Sequence, residues 1–307
     1  MKNRKEAEDN MKLNRISKTA NLIFNIIFVL LALICIIPVV FVFIISISSE
    51  ASITKYGYQM IPKEFSLDSY LFLWREKATI LKALGISVLV TGTGTALGVI
   101  LTTTMGYVLS RPGYKLNAML SWLVFIPMIF NGGMIASYVV NTNLLGLKNS
   151  VWALILPLAV SSFNVIICKT FFRTTIPDSI IESAKIDGAS QLNIFSRIVI
   201  PISKPVIATI GLFLCFGYWN DWFQSSLYIT NKDLLSLQAL LNSIQRNIQY
   251  LASNPTAGLS LQQYKNLMPQ EGARMAIAII IVVPIACAYP FFQKYFISGL
   301  TIGAIKG

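Results

Sequence analysis

The chain has 307 residues, of which 55% are hydrophobic and only 12% are charged, and its apolar runs are far longer than the helices of a soluble globular domain. This composition indicates an integral membrane protein, because a helix needs about 20 consecutive apolar residues to cross the hydrocarbon of a bilayer. The chain has no His, which removes the commonest general base and the commonest metal ligand, so we expect neither catalysis nor a metal site.

Six apolar runs predict six transmembrane helices. In chain order they cover residues 22–47, 84–110, 118–140, 151–172, 206–229 and 275–297. If both termini are cytoplasmic, 15 of the 25 Lys and Arg residues lie on the cytoplasmic side, in agreement with the positive-inside rule. Topology therefore accounts for the formal charge of +12, and nucleic acid is not expected as a partner. We expect cytoplasmic tails of residues 1–21 and 298–307 around a membrane domain of residues 22–297.

The second run contains the sequence TGTGTALG, which has the glycine content of a phosphate-binding loop. No Lys-Ser/Thr pair follows these glycines and no strand precedes them, so the loop interpretation fails. In an apolar helix, the spacing of Gly94 and Gly98 predicts instead a face on which neighbouring helices approach closely.

The fifth run holds the polar and aromatic sequence GYWNDWF. A carboxylate near the bilayer centre costs about 2.5–3.5 kcal/mol on insertion scales and usually faces a cavity or a partner. Asp221 therefore either lines a cavity or lies in water at an interface marked by Trp219 and Trp222, and the sequence supports both interpretations equally. The long segment after this run, residues 231–273, begins with helical apolar spacing and becomes polar and turn-rich, so we expect its first half to pack on the outer face.

A charged stretch, ESAKIDGASQLNIFSRIVIP, separates the fourth and fifth runs on the cytoplasmic side. Ser179 and Glu182 have the spacing of a capping box, which predicts a short helix over residues 180–187. Gly188 can adopt positive φ and end that helix, and Ser190 can cap a second one that continues to Pro201. The result is a helix-turn-helix across the membrane face.

The first of these helices has a small apolar side next to a charge. Ile181 and Ala184 lie beside Glu182, an arrangement that suits insertion into a groove on another protein. The alternative is a helix that lies on the lipid surface.

This stretch resembles the EAA loop of ABC importer permeases, a resemblance carried by the sequences Glu182-Ser183-Ala184 and Asp187-Gly188-Ala189 and by the later Ile198, Pro201 and Pro205. Two residues depart from the family pattern: Ser183 replaces the usual middle Ala, and Ile200 stands where Leu is common. From about residue 22 onwards the chain is also similar to carbohydrate-importer permeases of the maltose type, in its six-run layout, in GYVLSRPGYK, in WNDWF and in its closing SGLTIGAIKG.

The resemblance implies an all-α, six-helix type I ABC importer permease bundle with both termini cytoplasmic. It implies a cytoplasmic coupling loop over about residues 177–205, in which ATPase motion is received by Glu182, Ser183, Ala184, Asp187, Gly188, Ala189, Ile198 and Pro201. The C-terminal tail would reach into the ATPase dimer through Gly299, Gly303, Lys306 and Gly307. The outer segment would contact a sugar-binding protein, and the substrate pathway would include Trp219, Asn220, Asp221 and Trp222.

The partners implied by the resemblance are a second permease subunit, two cytoplasmic ABC ATPases, an extracytoplasmic sugar-binding protein and an oligosaccharide, in a prokaryotic cell membrane. ATP and Mg would be bound by the ATPases, since this chain has no GxxxxGK[ST] sequence and no cofactor is expected in it. Two alternatives stay open: an ABC importer permease for a non-sugar solute, and a membrane scaffold or sensor whose loop docks an ATPase or kinase. A membrane enzyme is the weakest alternative, because the residues offer no acid-base pair.

Overall fold

The computed structural model describes residues 17–253 and 270–304, and these residues are helical apart from turns and short extended connections. Within them, extended segments pair only at an isolated bridge between Ser48 and Phe65. The helices are α1 (Lys18–Ser46), α2 (Glu50–Tyr56), α3 (Asp68–Arg75), α4 (Lys77–Ser110), α5 (Asn117–Ile129), α6 (Gly133–Val139), α7 (Trp152–Ala159), α8 (Ser162–Thr175), α9 (Asp178–Ile186), α10 (Gln191–Ile202), α11 (Lys204–Asn220), α12 (Phe223–Tyr228), α13 (Leu237–Ser253) and α14 (Gln270–Ala304).

The all-helical class predicted from the apolar runs is confirmed. Among the described residues, α1 and α4 are each long and apolar enough to cross a bilayer, and two bent pairs, α7 with α8 and α10 with α11, qualify if each pair is one broken span. That makes two to four spans by length and composition, so the six spans and the orientation of the termini stay predictions.

Breaks within the apolar runs explain why fewer continuous spans are found than were predicted. The third run is divided between α5 and α6, where the Asn131 side chain accepts the N–H of Gly133 at 2.9 Å and Gly133 has φ +82°. The fourth run bends by 47° between α7 and α8. The fifth run ends as α11 at Asn220 and resumes as the short α12.

The chain divides into two compact units, one within residues 1–72 and 268–279 and the other within residues 73–267 and 280–307. In the first unit, the Glu50 carboxylate accepts the N–H groups of Glu271 and Gly272, both at 3.2 Å, and so caps the positive end of α14. The Tyr58 hydroxyl donates to Glu271 at 2.7 Å, and this bond to a carboxylate raises the pKa of Tyr58 above its usual value. A Cβ at Gly272 would collide with the Ser69 hydroxyl, so glycine permits that approach.

The second unit is organised around α4, which packs against α7, α8 and α11. Its glycines lie where the neighbours come closest. A Cβ built on Gly94 would lie 2.5 Å from Cζ of Tyr218, and one on Gly98 would lie 2.7 Å from the Ala159 carbonyl oxygen. One on Gly106 would lie 2.5 Å from the Cβ of Cys168. The prediction that Gly94 and Gly98 form a packing face is therefore confirmed.

The buried core of this unit extends into the loop that contains α9 and α10. Ile181 and Ala184 of α9 and Ile194 of α10 belong to the same hydrophobic cluster as Phe172 of α8 and Ile210 of α11. The loop is thus joined to the bundle by packing as well as by the chain itself.

The glycine face of α4 can be tested by adding one methyl group. Gly94→Ala would push a Cβ against the buried ring of Tyr218, whose hydroxyl donates to the Ile155 carbonyl at 2.7 Å. We expect the thermal unfolding midpoint in detergent to fall by several degrees, in line with the roughly 1–3 kcal/mol that overpacking costs. Gly92→Ala is the matched control, because no atom lies within 4 Å of its Cβ position. Equal midpoints for the two variants would contradict the packing role of Gly94.

Candidate functional site

The helix-turn-helix predicted for residues 180–201 is confirmed, although its first helix begins differently. Pro177 occupies the N-cap of α9 with extended backbone (φ −61°, ψ 139°) and provides no side-chain hydrogen bond. The predicted capping box is therefore wrong, because Ser179 already lies inside the first turn of the helix. The Asp178 carboxylate, at the first helical position, interacts favourably with the positive end of the helix dipole.

Backbone hydrogen bonds close the turn after α9. Gly188 has φ +78°, its N–H donates to the carbonyl of Lys185 at 3.0 Å, and the N–H of Ala189 donates to the carbonyl of Ala184 at 2.9 Å. This pair of bonds is the Schellman motif, in which a left-handed residue satisfies the last carbonyls of a helix. The predicted positive φ of Gly188 is confirmed.

The second helix of the loop begins at the predicted cap and then turns into the bundle. The Ser190 hydroxyl accepts the N–H of Asn193 at 3.3 Å. The helix widens into one π-helical turn over Phe195–Val199 and continues to Ile202. At Ser203 the chain bends by 83° into α11, so α10 runs nearly perpendicular to the helix that follows it.

The two faces of α9 have different surroundings. Ile181 and Ala184 are 3% and 9% exposed and pack into the core of this chain, so the prediction that they form a docking face is wrong. The exposed face carries Glu182, Ser183 and Asp187. Two large apolar side chains that the sequence analysis missed are also exposed, Ile186 at the end of α9 at 87% and Leu192 at the start of α10 at 73%. Ile186 lies on a different side of α9 from Ile181 and Ala184. The sequence does not show which side is buried, so it could not identify Ile186 as exposed.

The remaining residues predicted for the loop lie along its inner side and second helix. Ala189 and Ile198 are partly buried against the core, and Pro201 is exposed on α10. A cavity of about 660 Å³ opens beside α9, and its lining includes Tyr107 and Arg111 from the end of α4 together with Glu182 and Lys185. Glu182 therefore combines exposure with a position at the rim of a charged cavity.

The four residues predicted for the substrate pathway differ in exposure, and Asp221 is half-buried. Trp219 is 8% exposed, and its indole N–H donates to the Ile281 carbonyl at 3.3 Å, so it packs inside the second unit. Asn220 and Trp222 are exposed. The side-chain N–H of Asn220 donates to the Phe216 carbonyl at 2.9 Å, and the side-chain oxygen takes no part in that bond.

Asp221 marks the break between α11 and α12. Its carboxylate accepts the N–H of Gln224, at 3.2 Å to one oxygen and 3.4 Å to the other, and so caps α12. The Asp221 carbonyl accepts the hydroxyl of Ser236 at 3.2 Å, and the Ser225 hydroxyl accepts the N–H of Ser236 at 3.1 Å. The structure thus gives Asp221 a local structural role that neither of its two predicted environments included.

Residues 231–273 and the C-terminal tail are described in part. The predicted packing of α13 is confirmed, since Leu237 and Leu241 are fully buried and the N–H of Leu237 donates to Ser87 of α4 at 2.8 Å. Residues 254–269 lie outside the described part of the chain. The last helix continues to Ala304 without a break at the predicted tail boundary, so Gly299 and Gly303 are helical, whereas Lys306 and Gly307 lie outside the described residues.

Residues 94–302 match the family described as the binding-protein-dependent transport system inner membrane component. The chain belongs to this family. It is 39% identical over 274 residues to Protein LplC of Bacillus subtilis (strain 168), with 89% of this chain and 90% of LplC covered. It is also 39% identical over 276 residues to the polygalacturonan/rhamnogalacturonan transport system permease protein YtcP of the same organism, with 90% and 94% covered.

A solved structure of this family has the same fold. It is a chain of a bacterial ABC transporter involved in the import of the acidic polysaccharide alginate, with a TM-score of 0.74 and 26% sequence identity, and the match covers 92% of this chain and 99% of that one. As a binding-protein-dependent inner membrane component, this chain is a non-catalytic permease subunit of an ABC importer in a bacterial membrane. The scaffold and enzyme alternatives are thereby set aside.

The role of Asp221 can be tested by separating its charge from its hydrogen bond. Asp221→Asn keeps an acceptor oxygen for the N–H of Gln224, so we expect wild-type stability and wild-type uptake. Asp221→Ala removes the cap, and we expect its free energy of unfolding to fall by about 0.5–2 kcal/mol. Thermal unfolding and solute uptake of both variants are the measurements. Loss of uptake by Asp221→Asn at unchanged stability would show that the charge itself serves transport.

Proposed function

We propose that this permease imports oligosaccharides as one of two permease subunits, together with two cytoplasmic ABC ATPases and an extracytoplasmic sugar-binding protein. The observation that carries this proposal is the geometry of α9, a short helix that is buried on one side, exposed and charged on the other, and closed by the Gly188 turn. The family and its sugar-transporting relatives supply the context. ATP and Mg would be held by the ATPase subunits.

The arrangement we propose in the membrane has six transmembrane helices with both termini in the cytoplasm. The two bent helix pairs support broken spans, and the positive-inside distribution of Lys and Arg supports the orientation. Under this topology the loop containing α9 and α10 is cytoplasmic, where ATPases would reach it. The α13 segment would lie on the opposite side, where a binding protein would dock.

The exposed face of α9 has the chemistry of a docking surface. Ile186 on α9 and the neighbouring Leu192 at the start of α10 offer apolar side chains, and full burial of one such side chain contributes about 1.5–3 kcal/mol. Glu182 adds a carboxylate that can pair with a basic residue of the ATPase, and Ser183 adds a small polar side chain beside it. When ATP binding brings the ATPases together, α9 would move with them if it is bound through this face. Its buried residues Ile181 and Ala184 would then transmit the displacement to the helices they pack against.

The C-terminal tail would provide a second ATPase contact. The continuous helix α14 would carry Gly299 and Gly303 to the cytoplasmic end of the bundle, and Lys306 and Gly307 would follow it into the ATPase dimer. This role rests on the resemblance of the closing SGLTIGAIKG sequence to the tail of the maltose-type subunit.

Among oligosaccharides, those that contain uronic acids are the class we propose. A polygalacturonan/rhamnogalacturonan permease is among the two relatives that are 39% identical, and the matched solved structure belongs to an importer of an acidic polysaccharide. Exposed Trp222 offers an aromatic face on which a pyranose ring can stack, and exposed Asn220 offers an amide for sugar hydroxyls. Trp219 is buried and is a weaker candidate for sugar contact.

Coupling through α9 is tested with the full complex. We expect affinity purification of this chain from its native membrane to bring a second permease and an ATPase. In proteoliposomes containing that complex, Glu182→Ala is expected to assemble and to hydrolyse ATP, while solute uptake per ATP falls about tenfold. Glu76→Ala, an exposed carboxylate at the start of α4, is the control and should transport normally. Wild-type uptake by Glu182→Ala would remove Glu182 from the coupling role.

The substrate class is tested by competition. In cells that produce the importer, we expect unlabelled oligogalacturonides to inhibit uptake of a labelled oligogalacturonide, and neutral maltooligosaccharides of equal length to leave it unchanged. Cells carrying Glu182→Ala provide the uncoupled background. Equal inhibition by both sugars would mean that charge does not determine selection, and transport of the maltooligosaccharide alone would overturn the uronic acid assignment.

A further inference from the structure

The cytoplasmic end of α4 holds both helices of the loop through side chains. Arg111, which directly follows the last residue of α4, contacts Asp178 at the start of α9, and Tyr107, one turn earlier, contacts Gln191 at the start of α10. We call these four residues, Tyr107, Arg111, Asp178 and Gln191, the α4 clamp.

Arg111 is fixed by several groups at once. Its Nη1 donates to Asp178 Oδ1 at 3.1 Å, its Nη2 donates to the Phe172 carbonyl at 3.3 Å, and its Nε donates to the Ser110 hydroxyl at 3.1 Å. The guanidinium carbon also lies 5.3 Å from the centre of the Tyr107 ring, within cation–π range. The Arg111 side chain is only 15% exposed, so the guanidinium presents a fixed geometry to the first turn of α9.

Tyr107 holds the second helix of the loop in a similar way. Its ring is buried, and its hydroxyl donates to Gln191 Oε1 at 3.2 Å. The ring centre lies 5.0 Å from that of Phe195 on α10 and 6.5 Å from that of Phe172 on α8. A displacement of α10 therefore meets a side chain of α4 directly.

Beyond the clamp, α4 is the least deformable connection available to the loop. It is an uninterrupted helix of 34 residues, about 50 Å long, that is locked to its neighbours at Gly94, Gly98 and Gly106. The loop's own covalent connections are bends instead, an extended Ile176–Pro177 link before α9 and the 83° turn at Ser203 after α10. Bends absorb a displacement, whereas a packed helix transmits it.

We propose that Arg111 and Tyr107 are positioning residues that transmit the displacement of α9 and α10 to α4 during transport. This inference rests on the proposed function, in which ATPases move α9. Asp178 is 63% exposed, so water can take the place of its carboxylate beside Arg111, and an ion pair with such a solvated partner adds little to folding stability. The clamp is therefore separable from the fold, since weakening it should loosen the connection between loop and bundle without unfolding either.

The test measures solute transported per ATP hydrolysed by the full complex in proteoliposomes, together with its thermal unfolding midpoint. Asp178→Asn removes the charge that Arg111 contacts, and Tyr107→Phe removes only the hydroxyl. We expect each variant to keep the wild-type midpoint and to transport about threefold less per ATP, and the double variant to fall further. Asp178→Glu keeps the carboxylate and is expected to restore most of the coupling.

The matched control is a second ion pair made by α4, in which Lys82 contacts Asp233 at 2.7 Å and both side chains are 66% exposed. Asp233→Asn should leave transport per ATP unchanged. Wild-type coupling in Asp178→Asn, Tyr107→Phe and the double variant would overturn the clamp, and so would a loss of coupling that only follows a lower midpoint. A wild-type complex without ATP-dependent uptake would instead refute the proposed function, so the two failures are distinguishable.

Discussion

Close helix packing is the constraint on which the rest of this structure depends. Lipid is as apolar as Leu or Ile, so helices in a bilayer gain little from apolar burial alone and associate through tight van der Waals contact. In this chain that contact is provided by α4, whose glycines let a tyrosine ring, a carbonyl and a cysteine side chain approach its backbone. Because α7, α8, α11 and α13 all pack on this one element, its position constrains the arrangement of the second unit.

The breaks in the helices follow from a second constraint, that backbone polar groups need partners where water is scarce. Short polar side chains provide them. Asn131 satisfies an N–H at the start of α6, and Asp221 satisfies one at the start of α12. Asn149, with φ +56°, accepts the N–H groups of Thr230 and Asn231 at 2.7 and 3.0 Å and so connects two loops. These polar residues look anomalous in an apolar sequence, but they make the broken helices possible.

The sequence predicts well most features that are decided within one turn of chain, although the capping box predicted at Ser179 is wrong. The helical class, the positive φ of Gly188 and the cap at Ser190 all depend on local geometry, and each is confirmed. Of the features that depend on distant partners, the packing face of Gly94 and Gly98 was predicted, but others were not. The outward position of Ile186 follows only from which side of α9 the core covers. The capping role of Asp221 follows from a helix break within the fifth run, which the sequence analysis treated as one continuous span.

At the Gly188 turn, the groups that maintain the conformation of the loop differ from the side chains that the loop exposes. Its hydrogen bonds join main-chain atoms, and its packing uses the buried side of α9, so the outward side chains are not needed to maintain it. Substitutions on that outer face can accumulate without refolding the loop. Because the exposed side chains can change without altering the loop, related importers in one cell could bind different ATPase subunits, or share a common one, while the membrane bundle stays the same.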